Sequence, residues 1–298
     1  MPRKLSRRTL LLGGTAGAVV AATATGVGVE QGVLPGRPFL QAHLGLNGRD
    51  GVVPDVEPGP VVSGSFTSRH RLGAQTGWSL IRPRGTTGPL PLVVALHGLG
   101  QDHATLTGPT MGLDRFLAAT VADGTPPFAI AAVDGGTSYW HPRPSGEDAS
   151  AMVVNELLPM LAPHGVGTDR LGLIGWSMGG YGALRLGGLL GSGRVRAVVA
   201  ASPAIWEDAG DASGSGFEDA AEYEQYTVFG HQDDLAGIEV RIDVGTGDPF
   251  YRDVQDYVGG FPDGSVVTTF QPGGHTTGYW RRMLPAQLAF LGRAMSPE

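Results

Sequence analysis

One stretch of 20 residues combines an apolar strand, a glycine-flanked turn and a helix. Residues 171–174 read Leu-Gly-Leu-Ile, a short apolar run typical of a buried parallel strand. The turn Gly175-x-Ser177-x-Gly179 follows, and residues 180–190 are rich in Gly, Ala and Leu, which favours a helix packed closely on a sheet. Glycines two positions either side of the serine avoid a collision in so sharp a bend. The pattern therefore predicts a strand-turn-helix unit with Ser177 at its tip.

Apolar strand-like segments alternate with helix-like segments along the rest of the chain. The strand-like segments are 92–96, 128–133, 171–174, 197–200, 240–244 and 266–270. The helix-like segments are 113–122, 149–161, 181–190, 251–258 and 280–293. Residues 61–83 precede these segments. Their apolar residues alternate with polar ones, which predicts an antiparallel hairpin at a sheet edge. This order predicts an α/β fold, a mostly parallel sheet with helices on both faces, in one domain over 61–298.

Residues 206–237 interrupt this alternation. They hold nine acidic residues and no lysine or arginine, and they are longer than an ordinary crossover. A long insertion of this kind predicts a lid over the active site of the domain. A solvated surface insertion with no role in substrate choice is the alternative.

The first 29 residues have the composition of an export signal. Residues 1–8 carry four positive charges and no acid, and residues 9–29 are uncharged. Ser-Arg-Arg-Thr-Leu-Leu at 6–11 resembles a twin-arginine signal, and Ala-Thr-Ala at 22–24 offers a cleavage point. The sequence thus predicts export, to the cell envelope or beyond. The alternative is an uncleaved membrane anchor, since about 20 apolar residues suffice to span a bilayer.

Charge and composition restrict the partners of the mature chain. Cleavage after residue 24 leaves 17 basic and 28 acidic residues, a formal charge of −11, which disfavours nucleic acid and anionic membranes. The chain has no cysteine, so an exported domain has to be stable without disulfides. Residues 30–60 are rich in Gly and Pro with little periodicity, which predicts a tether or an irregular segment wrapped over the domain.

A serine hydroxyl becomes an effective nucleophile when a base removes its proton and an acid orients that base. In α/β-hydrolases these groups follow in the chain order Ser, Asp or Glu, His. Asp248 lies in a Gly-rich loop after strand segment 240–244 and is the candidate acid, although it could instead cap the next helix. Asp243, inside the strand segment, is the first alternative acid, and Asp234, in the insertion, is the second.

His275 is the candidate base. It follows the last strand segment and a glycine pair whose flexibility can carry the imidazole back over the sheet. A turn histidine in solvent is the alternative. His97 is expected to brace the loop after segment 92–96 and to take no part as an acid or base. The histidines form no spaced zinc motif such as His-Glu-x-x-His, so neither a metal nor a cofactor is predicted.

A tetrahedral intermediate requires N–H donors directed at its oxyanion. Met178 supplies one because it directly follows Ser177. The second donor is expected from the His-Gly-Leu-Gly segment 97–100, with Leu99 as the first choice and Gly98 as the second.

Together these motifs resemble the "Putative esterase" family, which includes esterase D, feruloyl esterases and the antigen 85 mycolyltransferases. The likeness spans residues 70–293. It is carried by the serine turn, by segment 97–100 and by Gly-Gly-His-x-x-x-Tyr-Trp at 273–280, with further similar stretches at 133–136, 138–140, 146–148 and 155–159.

The resemblance implies an α/β-hydrolase fold and assigns roles to residues of this sequence. The implied roles are a triad of Ser177, Asp248 and His275, oxyanion donors at Leu99 and Met178, and pocket residues Tyr139, Trp140 and Trp280. Packing in the core or the rim is the alternative for each of the three aromatic residues. The mycolyltransferases generally use Glu as the triad acid, so an Asp in this loop argues against mycolyl transfer.

The sequence supports the hypothesis of an exported, cofactor-free serine esterase that forms an acyl-enzyme on Ser177. Its expected partner is a small-molecule or glycolipid ester. The first alternative is an acyltransferase with the same site, in which a sugar or lipid alcohol outcompetes water. The second is an inactive hydrolase-fold binding protein, although every catalytic residue type is present.

Overall fold

The computed structural model describes residues 36–296, in which eight strands form one sheet. The strands are β1 (Val61–Ser68), β2 (Ala74–Ile81), β3 (Leu90–Leu96), β4 (Ala129–Val133), β5 (Val166–Trp176), β6 (Val195–Ala201), β7 (Glu239–Gly245) and β8 (Val266–Gln271). Their spatial order is β1-β2-β4-β3-β5-β6-β7-β8. β2 runs antiparallel to β1 and to β4, and every other neighbouring pair is parallel. The α/β-hydrolase fold class and the edge hairpin predicted from the sequence are confirmed.

Helices cover both faces of this sheet. They are α1 (Arg37–His43), α2 (His103–Thr107), α3 (Leu113–Ala122), α4 (Ala149–Met152), α5 (Leu158–Leu161), α6 (Met178–Leu190), α7 (Ala220–Tyr226), α8 (Tyr251–Gly259) and α9 (Thr277–Ala294). A π-helical turn, Val153–Leu157, joins α4 to α5, and short 3₁₀ turns lie at Ala162–His164 and Gln232–Leu235. No helix within residues 36–296 is long and apolar enough to cross a bilayer.

Each central strand is buried on both faces. In β3, Leu92 and Val94 belong to the cluster shared with α4 and α6, whereas Val93 and Ala95 belong to the cluster shared with α3 and α9. All four side chains are fully buried. Burial on both faces explains why the parallel strands appear in the sequence as continuous apolar runs.

The helix predicted over 149–161 is not a continuous α-helix. Its middle turn, Val153–Leu157, is π-helical. Pro159 lies at the start of α5 and has no N–H to donate to the carbonyl of Asn155. The π-helical turn thus lies directly before the position at which the hydrogen-bond ladder loses a donor.

The sequence predicts a tether or an irregular wrapped segment over 30–60, of which the structure describes residues 36–60. Residues 36–60 wrap over the domain, starting with α1. The Arg115 Nη1 donates to the Val56 carbonyl at 2.7 Å, and the Arg82 N–H donates to the Pro60 carbonyl at 3.0 Å. The helix was not evident because these residues lack apolar periodicity. The predicted export signal, residues 1–29, lies outside the described residues.

Candidate active site

Ser177 stands between β5 and α6 in a strained conformation, with φ 55° and ψ −121°. The flanking glycines are required by close packing. A β-carbon at Gly175 would lie 1.9 Å from the Gly179 carbonyl oxygen, and one at Gly179 would lie 1.9 Å from the Leu96 carbonyl oxygen. The bend is further fixed by the Ala204 N–H, which donates to the Ser177 carbonyl at 3.0 Å. The serine is therefore held at the tip of the turn, at the carboxyl edge of the sheet.

Three side chains from three strand ends meet at this edge. The Ser177 Oγ lies 2.8 Å from the His275 Nε2, and the His275 Nδ1 lies 2.9 Å from the Asp248 Oδ2. Ser177 follows β5, Asp248 follows β7 and His275 follows β8. The His275 side chain is 23% exposed, whereas the Asp248 side chain is fully buried. This relay can move a proton from the hydroxyl to the imidazole while the carboxylate stabilises the imidazolium.

Asp248 is fixed by its own loop. Its Oδ1 accepts the Phe250 N–H at 2.9 Å, which leaves Oδ2 directed at the imidazole. The Phe250 ring also lies 5.2 Å from the His275 ring, centroid to centroid. Phe250 was not singled out from the sequence, although its place two residues after the candidate acid was the available signal.

The two alternative acids lie elsewhere. Asp243 is fully buried, and its Oδ2 accepts from the Arg241 Nε at 2.8 Å and from the Gln287 Nε2 at 2.8 Å. Asp234 lies within the insertion and is 3.4 Å from the ring nitrogen of His231. Neither carboxylate contacts the imidazole of His275 among the hydrogen bonds of the described residues.

The loop after β3 lies directly against the serine. A β-carbon at Gly98 would lie 3.4 Å from the Ser177 Cβ. The Gly98 N–H is already engaged, because it donates to the Gln101 Oε1 at 3.0 Å. In the described part of the chain, no protein acceptor takes the N–H of Leu99 or Met178. The geometry thus favours Leu99 over Gly98 as the second donor, and Gln101 is a loop residue that the sequence did not indicate.

His97 braces this loop, as expected from the sequence. Its Nε2 accepts the Gly135 N–H at 2.8 Å, so the neutral ring carries its proton on Nδ1, which donates to the Gly98 carbonyl at 2.7 Å. Burial lowers the pKa of His97 below its ordinary value. A neutral ring with both nitrogens engaged is suited to holding the loop and not to proton transfer.

The three predicted pocket aromatics are all buried. Trp140 is 1% exposed, and its Nε1 donates to the His97 carbonyl at 3.2 Å, so it packs the core beneath the loop. Tyr139 is 4% exposed and packs against Tyr181, with ring centroids 6.0 Å apart. Trp280 is 5% exposed and meets the His275 ring edge-on at 5.2 Å. Among the ring contacts of residues 36–296, Trp280 is the one of the three that meets a residue of the Ser-His-Asp cluster.

The insertion begins beside the site. The Trp206 ring lies 5.3 Å from the Phe250 ring, which in turn lies against His275. The Trp206 carbonyl accepts from the Tyr223 hydroxyl at 2.6 Å, which ties this residue to α7. The space behind Trp206, next to Tyr181, is too narrow to admit a water molecule.

Within residues 36–296, no group of three or more His, Asp or Glu side chains converges as a metal site would. The chemistry that the arrangement can perform with its own groups is nucleophilic attack by a serine, assisted by an imidazole.

The chain is similar to a family of esterases in sequence and to several solved hydrolases in fold. The family model "Putative esterase" matches residues 70–291. Similar solved structures include an S-formylglutathione hydrolase from Agrobacterium tumefaciens (18% identity, TM-score 0.65, covering 82% of this chain and 98% of that one). A ferulic acid esterase has 21% identity and a TM-score of 0.64, covering 79% of this chain and 98% of that one. The fluorophosphonate-binding serine hydrolase F of Staphylococcus aureus has 17% identity and a TM-score of 0.63, covering 79% and 99%.

A search of curated protein sequences finds no significant match. At these identities the solved structures establish the fold alone, so the family assignment rests on the sequence model, which covers well over half of the chain. Membership supports ester hydrolysis as the reaction class. This chain belongs to the "Putative esterase" family of α/β-hydrolase-fold proteins.

Proposed function

We propose that the protein is a serine esterase that hydrolyses carboxylic esters through an acyl-enzyme on Ser177. The observation that carries this proposal is the continuous relay from Ser177 through His275 to Asp248, with both hydrogen bonds under 3.0 Å. Family membership supports hydrolysis of esters, and the relay supports a serine nucleophile for it.

Acylation begins when the Ser177 Oγ attacks the ester carbonyl carbon and the His275 Nε2 takes the hydroxyl proton. The carbonyl oxygen becomes an oxyanion facing the N–H groups of Met178 and Leu99, neither of which is engaged by another protein group in residues 36–296. Asp248 accepts a hydrogen bond from the Nδ1–H of His275 throughout, without taking the proton, and stabilises the imidazolium. The bond to the leaving alkoxide then breaks, and His275 returns the proton to that oxygen, which leaves as an alcohol.

Deacylation repeats these steps with water. His275 removes a proton from water, the hydroxide attacks the acyl carbon, and the same donors stabilise the second oxyanion. The Ser177 oxygen leaves and recovers its proton from His275. The products are a carboxylic acid, an alcohol and the free enzyme.

We propose that the start of the insertion forms one wall of the acyl site. The chain of ring contacts from His275 through Phe250 to Trp206 supports this role. Because the space behind Trp206 admits no water molecule, acyl groups that extend in this direction are expected to be short. Residues 207–237, the acidic remainder of the insertion, are not assigned a role in the acyl site.

We also propose that the chain is exported by the twin-arginine route. The paired arginines at positions 7 and 8 and the uncharged stretch that follows support this. Replacement of both arginines by lysine is expected to retain the precursor in the cytoplasm of the producing cell. Unchanged export of the double variant would contradict this route.

Hydrolysis of p-nitrophenyl acetate and p-nitrophenyl octanoate by the wild-type chain and by Ser177→Ala tests the central proposal. The wild type is expected to release nitrophenol, with acetate preferred, and the variant is expected to lose at least about 10³-fold in kcat/KM. Addition of trehalose or glycerol distinguishes hydrolysis from transfer, because transfer would yield the acylated alcohol. Full hydrolysis by Ser177→Ala would overturn the proposal.

A further inference from the structure

The loops that carry Asp248 and His275 contact a segment that precedes the family-matched region. Residues 41–51, here called the N-terminal strap, cross the carboxyl edge of the sheet beside β7 and β8. The Thr246 hydroxyl donates to the Gln41 Oε1 at 3.2 Å. At the other end of the strap, the Gly51 N–H donates to the Gly278 carbonyl at 2.8 Å, at the start of α9. The strap therefore contacts the Asp248 loop at one end and the first turn of α9, just after His275, at the other.

Asn47 lies at the centre of the strap and contacts the residues directly before the acid and the base. A β-carbon at Gly247 would lie 2.4 Å from the Asn47 Oδ1, and one at Gly274 would lie 3.1 Å from the Asn47 Nδ2. The two glycines give the side chain access to the backbone of both loops. Asn47 thus packs against both loops, and its backbone carbonyl is held by Arg282.

Arg282 on α9 fastens the strap to the histidine loop. Its Nη1 donates to the carbonyls of Arg49 at 2.8 Å and Asn47 at 3.3 Å, and its Nη2 donates to the carbonyl of Pro272. Its guanidinium carbon lies 5.2 Å from the centroid of the Tyr279 ring. A planar guanidinium presents five N–H donors in a fixed geometry, whereas a lysine ammonium presents three on a flexible stem.

We infer that the N-terminal strap positions His275 and Asp248 and that Arg282 is the positioning residue that locks it. The inference rests on the proposed serine esterase function. Arg282 bonds Pro272, three residues before His275, and none of its hydrogen bonds reaches the serine-histidine-aspartate relay. Release of this clamp is expected to move the imidazole relative to the Ser177 Oγ, and a misplacement of 1 Å costs about 10²-fold in rate.

The neighbouring arginine provides a matched control. Arg281 also donates to backbone carbonyls with its guanidinium: its Nε donates to Thr110 at 2.8 Å, and its Nη2 donates to Pro109 at 2.9 Å and to Thr110. Arg281 and Arg282 thus each hold a surface segment against α9 by three hydrogen bonds. Arg282 bonds the strap and Pro272 of the His275 loop, whereas Arg281 bonds residues 109 and 110, between α2 and α3.

The test compares Arg282→Met, Arg282→Lys and Arg281→Met in the full chain. Arg282→Met is expected to lower kcat for p-nitrophenyl acetate by about 10- to 100-fold, with KM within about threefold. Arg281→Met is expected to lower the melting temperature similarly but kcat by less than about threefold. The kcat of Arg282→Lys is expected to lie between those of Arg282→Met and the wild type, since the ammonium group can replace some of the guanidinium hydrogen bonds. The rate of Ser177 labelling by a fluorophosphonate is expected to fall with kcat.

Equal losses of kcat in Arg281→Met and Arg282→Met would overturn the inference, because the effect would then be general loss of stability. An unchanged kcat in Arg282→Met, or a change confined to KM, would also overturn it. Failure of the proposed function gives a different result. In that case, wild type and Ser177→Ala would show the same rates before any arginine is changed.

Discussion

Replacement of Asp248 by Asn would reverse the hydrogen bond that orients His275. The Phe250 N–H donates to the Asp248 Oδ1 at 2.9 Å, so the carbonyl of an asparagine would occupy that place. The amide nitrogen would then stand where Oδ2 is now, 2.9 Å from the His275 Nδ1. Because an amide NH₂ can only donate, Nδ1 would have to accept, and the ring proton would move to Nε2. A protonated Nε2 cannot remove the proton of Ser177.

The expected loss in kcat is about 10⁴-fold, the factor that the wrong tautomer causes in serine proteases, equivalent to about 5 kcal/mol. KM is expected to stay within about threefold, since the Asp248 side chain is fully buried. The assay is p-nitrophenyl acetate hydrolysis, with thermal unfolding as the check on folding. Asp256→Asn, an exposed residue of α8, is the matched control and should keep its activity. Retention of activity within tenfold by Asp248→Asn would refute this reasoning.

Three further substitutions test other parts of the molecule. Asp243→Asn leaves the buried Arg241 unpaired, so urea denaturation should show a loss of about 3–5 kcal/mol, with kcat measured at low temperature nearly unchanged. Burial lowers the pKa of His141 to about 3 from an ordinary 6.5, so below pH 6.5 the unfolded chain takes up a proton that the folded chain excludes. Stability should then fall between pH 6.5 and 3 by up to about 1.4 kcal/mol per unit, and His141→Gln should flatten this slope in urea titrations. Trp206→Ala should open the space beside Tyr181. The ratio of kcat/KM for p-nitrophenyl octanoate to that for p-nitrophenyl acetate should then rise at least about tenfold. An unchanged ratio would contradict a role of the insertion in the choice of acyl group.

Much of the fold was predictable because local patterns and global topology agree. Doubly buried strands produce apolar runs, and strand ends of a parallel sheet share one edge, so chain order alone brings Ser177, Asp248 and His275 together. The requirement for glycine at 175 and 179 was also predictable, since a sharp turn at Ser177 tolerates no side chain there.

Other features depend on contacts that sequence periodicity does not encode. The strap over the triad loops is fixed by backbone carbonyls bonded to Arg282, and carbonyls are common to every residue. A tryptophan at position 140 could line a pocket or fill the core, and its burial and its hydrogen bond to the His97 carbonyl identify it as a core residue. The π-helical turn lies directly before Pro159, which has no backbone N–H, and the apolar periodicity of 149–161 does not reveal such a turn.

Intact mass during turnover tests the central claim most directly. The wild-type chain, mixed with excess p-nitrophenyl acetate and quenched in acid within the first turnovers, is expected to gain the mass of one acetyl group. Peptide mapping should place that group on Ser177, and Ser177→Ala should gain no mass. Turnover by the wild type with no adduct at any time, or an adduct that persists in Ser177→Ala, would contradict an acyl-enzyme on this serine.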